Sequence, residues 1–263
     1  ARHRPRAHRP AVRRLMAANA SGWGTMPRRT ARRIAREGIR RRLQPGDRLA
    51  AEQVLIAYFE VSRTTMRNAL ALLGFLGIVE GRAGKEGGTR IAAPTNDPVV
   101  SALGAVLQAA GADAATVLDA LGALVPTLAG AAADRAELST VESLRQAAAA
   151  ADPALGDVAF AAPVGAFVNT LAEATGNAAL VSVTDALVRI TTLAPLSYHR
   201  RRRAVREHID AVVDAVERAD ATAARLRAQT WWDEQVAGWR RTQAADVARA
   251  VQWPDVDELL DAP

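Results

Sequence analysis

Residues 43–72 read LQPGDRLAAEQVLIAYFEVSRTTMRNALAL, and the order of breaks and caps in this stretch decides the fold. Pro45-Gly46-Asp47 interrupts whatever precedes it, because proline cannot continue a helix and glycine and aspartate favour turns. Glu52 to Tyr58 then reads as a short helix with Val54 and Leu55 as its apolar contacts, and Glu60-Val61 leaves room only for a tight link. Ser62 carries a hydroxyl that can accept a free first-turn N–H, so a further helix starts there and runs to about Gly74. Within it Met66, Leu70 and Leu73 fall at i, i+4 and i+7, a single buried stripe. Arg63, Thr64 and Arg67 fall on a different, exposed face.

Outward from this core, Arg28 to Leu43 is helical in pattern, with Ile34, Ile39 and Leu43 inward and Arg32, Arg33, Arg36, Arg40 and Arg41 largely outward. On the other side Ile78-Val79-Glu80, a Gly-rich turn over 81–88 and Thr89-Arg90-Ile91 predict a two-stranded ribbon with a basic tip. Three short helices followed by such a ribbon is the order of a winged helix-turn-helix. The helix beginning at Ser62 would enter the major groove by its N-terminus, where free N–H groups and the positive dipole end favour phosphate. Arg63 and Arg67, one turn apart, can then reach base edges or phosphates, and Thr64 and Thr65 can donate to phosphate. Lys85, the chain's single lysine, sits on the wing tip beside Gly84, which lets the backbone approach the minor groove. Taken singly, Arg63 and Arg67 read as a solvated face, Ser62 as a cap and Gly84 as a turn residue; their joint placement favours DNA contact.

Charge supports that division of labour. Residues 1–26 hold six Arg and no acid, residues 27–93 carry a net +8, and residues 94–263 carry −8, within a total of +6 over 263 residues. A basic third joined to an acidic remainder implies a polyanion-binding head on a body with another task. Residues 1–26 lack periodicity and read as a basic disordered tail, either a loose start or a DNA-contacting arm. The chain has no cysteine, which excludes disulfides, thiolate zinc sites and a cysteine nucleophile. No uninterrupted apolar run approaches the ~20 residues that cross a bilayer, and the first residues lack the apolar core of a secretion signal, so the expectation is a soluble, cytoplasmic protein without a membrane partner.

Residues 94–98 read as a linker, and beyond them everything is helical in spacing. Segments 99–110, 114–133, 137–150, 158–173, 178–193, 202–218 and 221–242 are separated by breaks such as Gly111, Asp152-Pro153, Gly176-Asn177 and Pro195. With aromatics at 4%, the core must be built mainly from Ala, Leu and Val, which suits packed helices. The expected fold class is therefore mostly α: a winged helix-turn-helix over 27–93, then an all-helical bundle over 99–243. Residues 244–263 read as a loose tail or a short docking helix.

The head resembles the GntR family of bacterial regulators through PGDRL at 45–49, Glu52, VSRTT at 61–65, Arg67, Ala69-Leu70 and Gly77-Ile78-Val79. The resemblance implies DNA contacts from Ser62, Arg63, Thr64, Thr65, Arg67 and Gly84. The family often places a base-contacting Arg directly after the helix-opening Glu; here that position is Gln53. The body resembles the all-helical FCD domain of the FadR subfamily through FVNTLAEATGN at 167–177, Glu207-His208, Asp220, Ala224 and the helix from Pro126 to Arg135. Many such domains hold a divalent metal on an Asp and three His, which grips a carboxylate effector. On this chain those positions are Val164, Val168, His208 and Trp231, and the positions of an effector-facing Arg and Glu are Leu121 and Val125. A lone imidazole cannot hold a metal that needs several converging donors, so no metal and no cofactor are expected. His208 reads as packed or hydrogen-bonded in the core. A cavity lined by Leu, Val and Trp would suit a small apolar or aromatic effector; equally, it could be filled by side chains, leaving the domain as a dimeriser.

Arg200–Arg203 reads as a solvated face, and Asp185, Asp210 and Asp214 near His208 lack a nucleophile or phosphate loop, so no catalysis is assigned. Two functional classes follow. One is a transcriptional regulator, most simply a repressor, that binds a palindromic operator as a homodimer and responds to an effector. The other is an architectural or interaction protein that binds duplex DNA without sequence choice and keeps a vestigial effector domain.

Overall fold

The computed structural model describes residues 26–82, 87–192 and 194–252. The basic segment before Met26, the wing tip with Gly84 and Lys85, and the stretch from Trp253 onward lie outside the described residues. The chain divides into two units at Pro98/Val99.

In the first unit, α1 (Met26–Arg40), α2 (Glu52–Phe59) and α3 (Arg63–Phe75) precede β1 (Val79–Arg82) and β2 (Gly88–Ile91). Ala31 and Ile34 of α1, Leu55 and Phe59 of α2, and Met66, Ala69 and Leu73 of α3 share one small core with Leu49 and Val79. Two apolar residues expected inside are outside. Ile39 is 77% exposed and Val54 57% exposed. Ile39 stands five residues from Ile34, which turns it about 140° away from the buried face at 100° per residue. Gly38 takes the inward position, opposite Leu43 and Ile91. On α2 the buried pair is Leu55 and Phe59, an i, i+4 stripe that leaves Val54 on the far side. In α3 the fully buried residue of the middle turn is Ala69, while Leu70 is half-buried.

The α2–α3 link turns through Glu60, which adopts a left-handed φ of 54°. Ser62 then caps α3, its Oγ accepting from the Thr65 N–H at 3.1 Å. The wing is antiparallel, pairing Val79 with Ile91 and Arg82 with Gly88, and a bridge from Arg48 to Arg90 extends it by one residue on the other edge.

The second unit comprises α4 (Asp97–Ala109), α5 (Ala114–Arg135), α6 (Leu138–Ala150), α7 (Asp157–Ala174), α8 (Ala178–Thr191), α9 (Arg202–Glu217), α10 (Ala221–Thr242) and α11 (Ala244–Val247). The helix α4 begins at Asp97 and so takes in the end of the expected linker. Centrally placed, α5 packs against α7, α8, α9 and most extensively α10. By length and composition alone α5 could cross a membrane; half of its apolar window is buried within the bundle. Val117, Leu118, Leu121, Val125 and Leu128 are all at most 1% exposed. Burying each such side chain contributes roughly 1.5–3 kcal/mol, which is what drives an Ala/Leu/Val sequence into layered helices. Residues 244–252 fold back: Val247 and Val251 are buried, and the Val251 N–H donates to the Ala112 carbonyl at 2.9 Å.

Candidate nucleic-acid interface and effector cavity

At the leading end of α3, Ser62, Arg63 and Thr64 are exposed and Thr65 is half-buried. The Ser62 hydroxyl is shared between the Thr65 N–H and the Thr65 hydroxyl, 2.9 Å away, so Ser62 fixes the first turn. Arg67 projects one turn further along with its side chain 68% exposed, and its Nε lies 3.2 Å from Oε1 of Glu52. Gln53 is exposed beside Glu52 at the start of α2. Gln53, Arg63, Thr64 and Arg67 are thus all exposed, and Arg67 links α3 to the start of α2 through Glu52. The Glu52–Arg67 pair was not foreseen. The two residues are fifteen apart in sequence, and only the tight α2–α3 turn brings them together.

The arginines of α1 are less uniform than their spacing suggests. Arg33 donates to the Phe59 carbonyl at 3.2 Å and lies over the Phe59 ring, closing the end of α2. Arg40 and Arg41 both bind Glu37, which also accepts from the Tyr58 hydroxyl at 3.1 Å. These bonds, Arg40's first, lower the Glu37 carboxyl to a pKa of about 2. Arg33, Arg40 and Arg41 therefore brace the head as well as charging it.

In the helical unit a cavity of about 470 Å³ opens between α5, α7, α8, α10 and the α8–α9 connection. Of the residues expected around an effector, Leu121, Val164 and Val168 line it. Val125 is 0% exposed in the core beside it. Trp231 is buried edge-on against Phe167 and Trp232, and it is Trp232, turned 100° further round α10, that lines the cavity. His208 stands apart, half-exposed at the surface between α9 and α10, with Nε2 3.3 Å from Oε2 of Glu234. It is hydrogen-bonded as expected, but not in the core.

The four metal positions that the resemblance points to do not fit a metal. Two are aliphatic, the indole Nε1–H of Trp231 has no lone pair to give, and His208 faces Glu234 instead. Among the described residues no three His, Asp or Glu side chains converge. The interior of α10 holds polar atoms that sequence reading missed: Nε1 of Trp231 and both ends of the Gln235 carboxamide are buried with no hydrogen-bond partner among the described residues.

Two family models match this chain: bacterial regulatory proteins of the gntR family over residues 27–91, and the FCD domain over residues 116–234. Together they span both structural units in the order in which the fold builds them. The chain belongs to the GntR family. It is a transcription regulator of that family with an FCD domain, a class of protein that binds DNA through the winged head.

A solved structure of Streptococcus agalactiae GntR is similar to this GntR-family chain with a TM-score of 0.61 and 21% identity, covering 79% of this chain and 98% of that one. At that identity the likeness supports the fold alone. A Listeria monocytogenes structure, described as Lar controlling the expression of the agr system, is similar at 16% identity over 83% of this chain and 98% of that one, with a TM-score of 0.37. The E. coli McbR/YncC structure is similar at 14% identity over 84% and 99%, with a TM-score of 0.36. Among curated proteins none matches the chain.

Proposed function

We propose that this GntR-family protein is a FadR-subfamily repressor that binds a palindromic operator as a homodimer in the cytoplasm and is released by a small apolar or aromatic effector. The observation that carries the reading is the exposed leading end of α3, capped by Ser62 and bearing Arg63, Thr64 and Arg67 outward. Gln53, Ser62, Arg63, Thr64, Thr65 and Arg67 contact the major groove and its phosphates, and Gly84 and Lys85 of the wing reach the minor groove. Two heads in a dimer would read half-sites ~34–36 Å apart, one helical turn. Repression is favoured because occluding a promoter needs only binding. An effector acts by favouring a head spacing that fits the operator less well.

Selecting bound fragments from genomic DNA supplies the operator, and competition against random duplex tests the reading. A specific regulator prefers its operator by ~10³ or more. The Arg67→Ala protein should keep its circular dichroism spectrum and lose about 1–3 kcal/mol of discrimination, the value of a bidentate arginine–guanine contact. Binding without preference for any fragment would instead identify an architectural DNA-binding protein.

A further inference from the structure

The wall of the 470 Å³ cavity is apolar apart from a few hydroxyls, two indoles and one charged residue, Asp157. Nearly every polar hydrogen in that wall already has an acceptor in the protein. Thr191 Oγ1 donates to the Val188 carbonyl at 2.6 Å, and Thr192 Oγ1 to the Arg189 carbonyl at 2.7 Å. Ser197 Oγ donates to Asp157 at 2.7 Å, and Arg202 closes the other oxygen of that carboxylate at 2.6 Å. The indole of Trp232 donates to the Leu118 carbonyl, and that of Trp239 to the Ser197 carbonyl.

Tyr198 is the exception. It is 8% exposed, and among the described residues its hydroxyl takes part in no hydrogen bond. Its ring is held edge-to-face between Phe160 at 5.3 Å and Trp239 at 5.2 Å. The residue before it is clamped as well: the Ser197 N–H donates to Gln243 Oε1 at 2.7 Å, and the Ser197 carbonyl accepts from Gln243 Nε2 at 2.8 Å. Burial alone raises the Tyr198 phenol above its ordinary range, so it stays protonated and can only gain by donating to an acceptor.

We infer that Tyr198 is the polar anchor of the cavity, and that its ligand is a neutral, largely aromatic or aliphatic molecule presenting a single hydrogen-bond acceptor, such as a ketone or ester carbonyl, to that hydroxyl. This rests on the reading of the cavity as the effector site and assigns it a ligand chemistry. An anion is disfavoured because, among the described residues, no cationic side chain lines the wall, and the guanidinium of Arg202 beside it is already engaged by Asp157. A buried carboxylate would go uncompensated.

Three naphthalene probes separate the possibilities in chelator-containing buffer, read by fluorescence titration of the full chain. They are 6-propionyl-2-(dimethylamino)naphthalene, the same ring system without its ketone, and the corresponding 2-naphthoate. The ketone should bind saturably and more tightly than the naphthoate. The Tyr198→Phe protein, checked for an unchanged thermal melt, should lose ~10-fold in ketone affinity, about 1.4 kcal/mol, and nothing for the ketone-free ring. Ala162 is exposed at the cavity's edge, and Ala162→Trp should abolish binding of both neutral probes by filling the mouth. Ketone binding that is indifferent to Tyr198→Phe, or tighter binding of the naphthoate, overturns the anchor while leaving an effector cavity standing. Failure of all three probes to bind the folded wild-type chain overturns both.

Discussion

Glu37 shows how much a single side chain organises in a small domain. It receives Arg40, Arg41 and the Tyr58 hydroxyl, joining the end of α1 to α2. Its carboxyl falls from 4.5 to about 2 in the folded protein. A depressed folded pKa means that the contribution to stability is complete above about 4.5 and is lost as pH falls toward 2. The cluster is exposed, so the effect is screened by salt. Glu37→Gln should therefore lower the melting temperature at pH 7 at low ionic strength, and the gap to wild type should close on acidification between pH 4.5 and 2. A gap that is independent of pH would show that the carboxylate is not the source. Glu52 acts differently. Its carboxylate holds Arg67 at 3.2 Å, which restricts the guanidinium to fewer rotamers before any contact with the proposed operator.

Among the elements, α3 is the one on which the proposed recognition rests, and its first turn is held by Ser62. Removing the hydroxyl leaves the Thr65 N–H to water, and Ser62→Ala should cost about 1 kcal/mol of the head's stability by denaturant titration, within the 0.5–2 kcal/mol typical of lost caps. That cap was legible in the sequence because capping is a local matter of one side chain and one N–H three residues on. So were the helix starts at Glu52, Ala114, Ala178, Arg202 and Ala221, which follow breaks or caps that need no tertiary knowledge. Ile39 and Val54 were misread for the opposite reason. Hydrophobicity alone placed them inside, whereas the angular position set by Ile34, Leu55 and Phe59 decides which face is covered. The cavity was legible in part. Leu121, Val164 and Val168 come from the resemblance to the FCD domain, but Tyr198 lies in a connection where no periodicity exists, and its worth depends on Thr191, Thr192 and Ser197 being satisfied elsewhere.

At the scale of the molecule, the charge separation read from the sequence coincides with the structural division. The net +8 of residues 27–93 falls within the first unit, while the acidic remainder forms the second. Each phosphate neutralised by the head releases condensed counterions, so log K should fall with log salt by ~0.9 per contact on duplex DNA. Arg63→Ala should flatten that slope by about one contact, a difference readable from binding isotherms at several salt concentrations. An unchanged slope would place Arg63 away from the backbone.

The return of residues 244–252 onto the start of α5 has a practical corollary. Val251 pairs with Ala112, and Ala114 with Arg249, so the last described residues form a clasp over the beginning of the central helix. Trimming the protein back to Thr242, where the long helices end, would unclip that clasp and wet the apolar seat of Val247 and Val251. Shortened versions prepared for crystallisation should therefore retain the chain through Gln252.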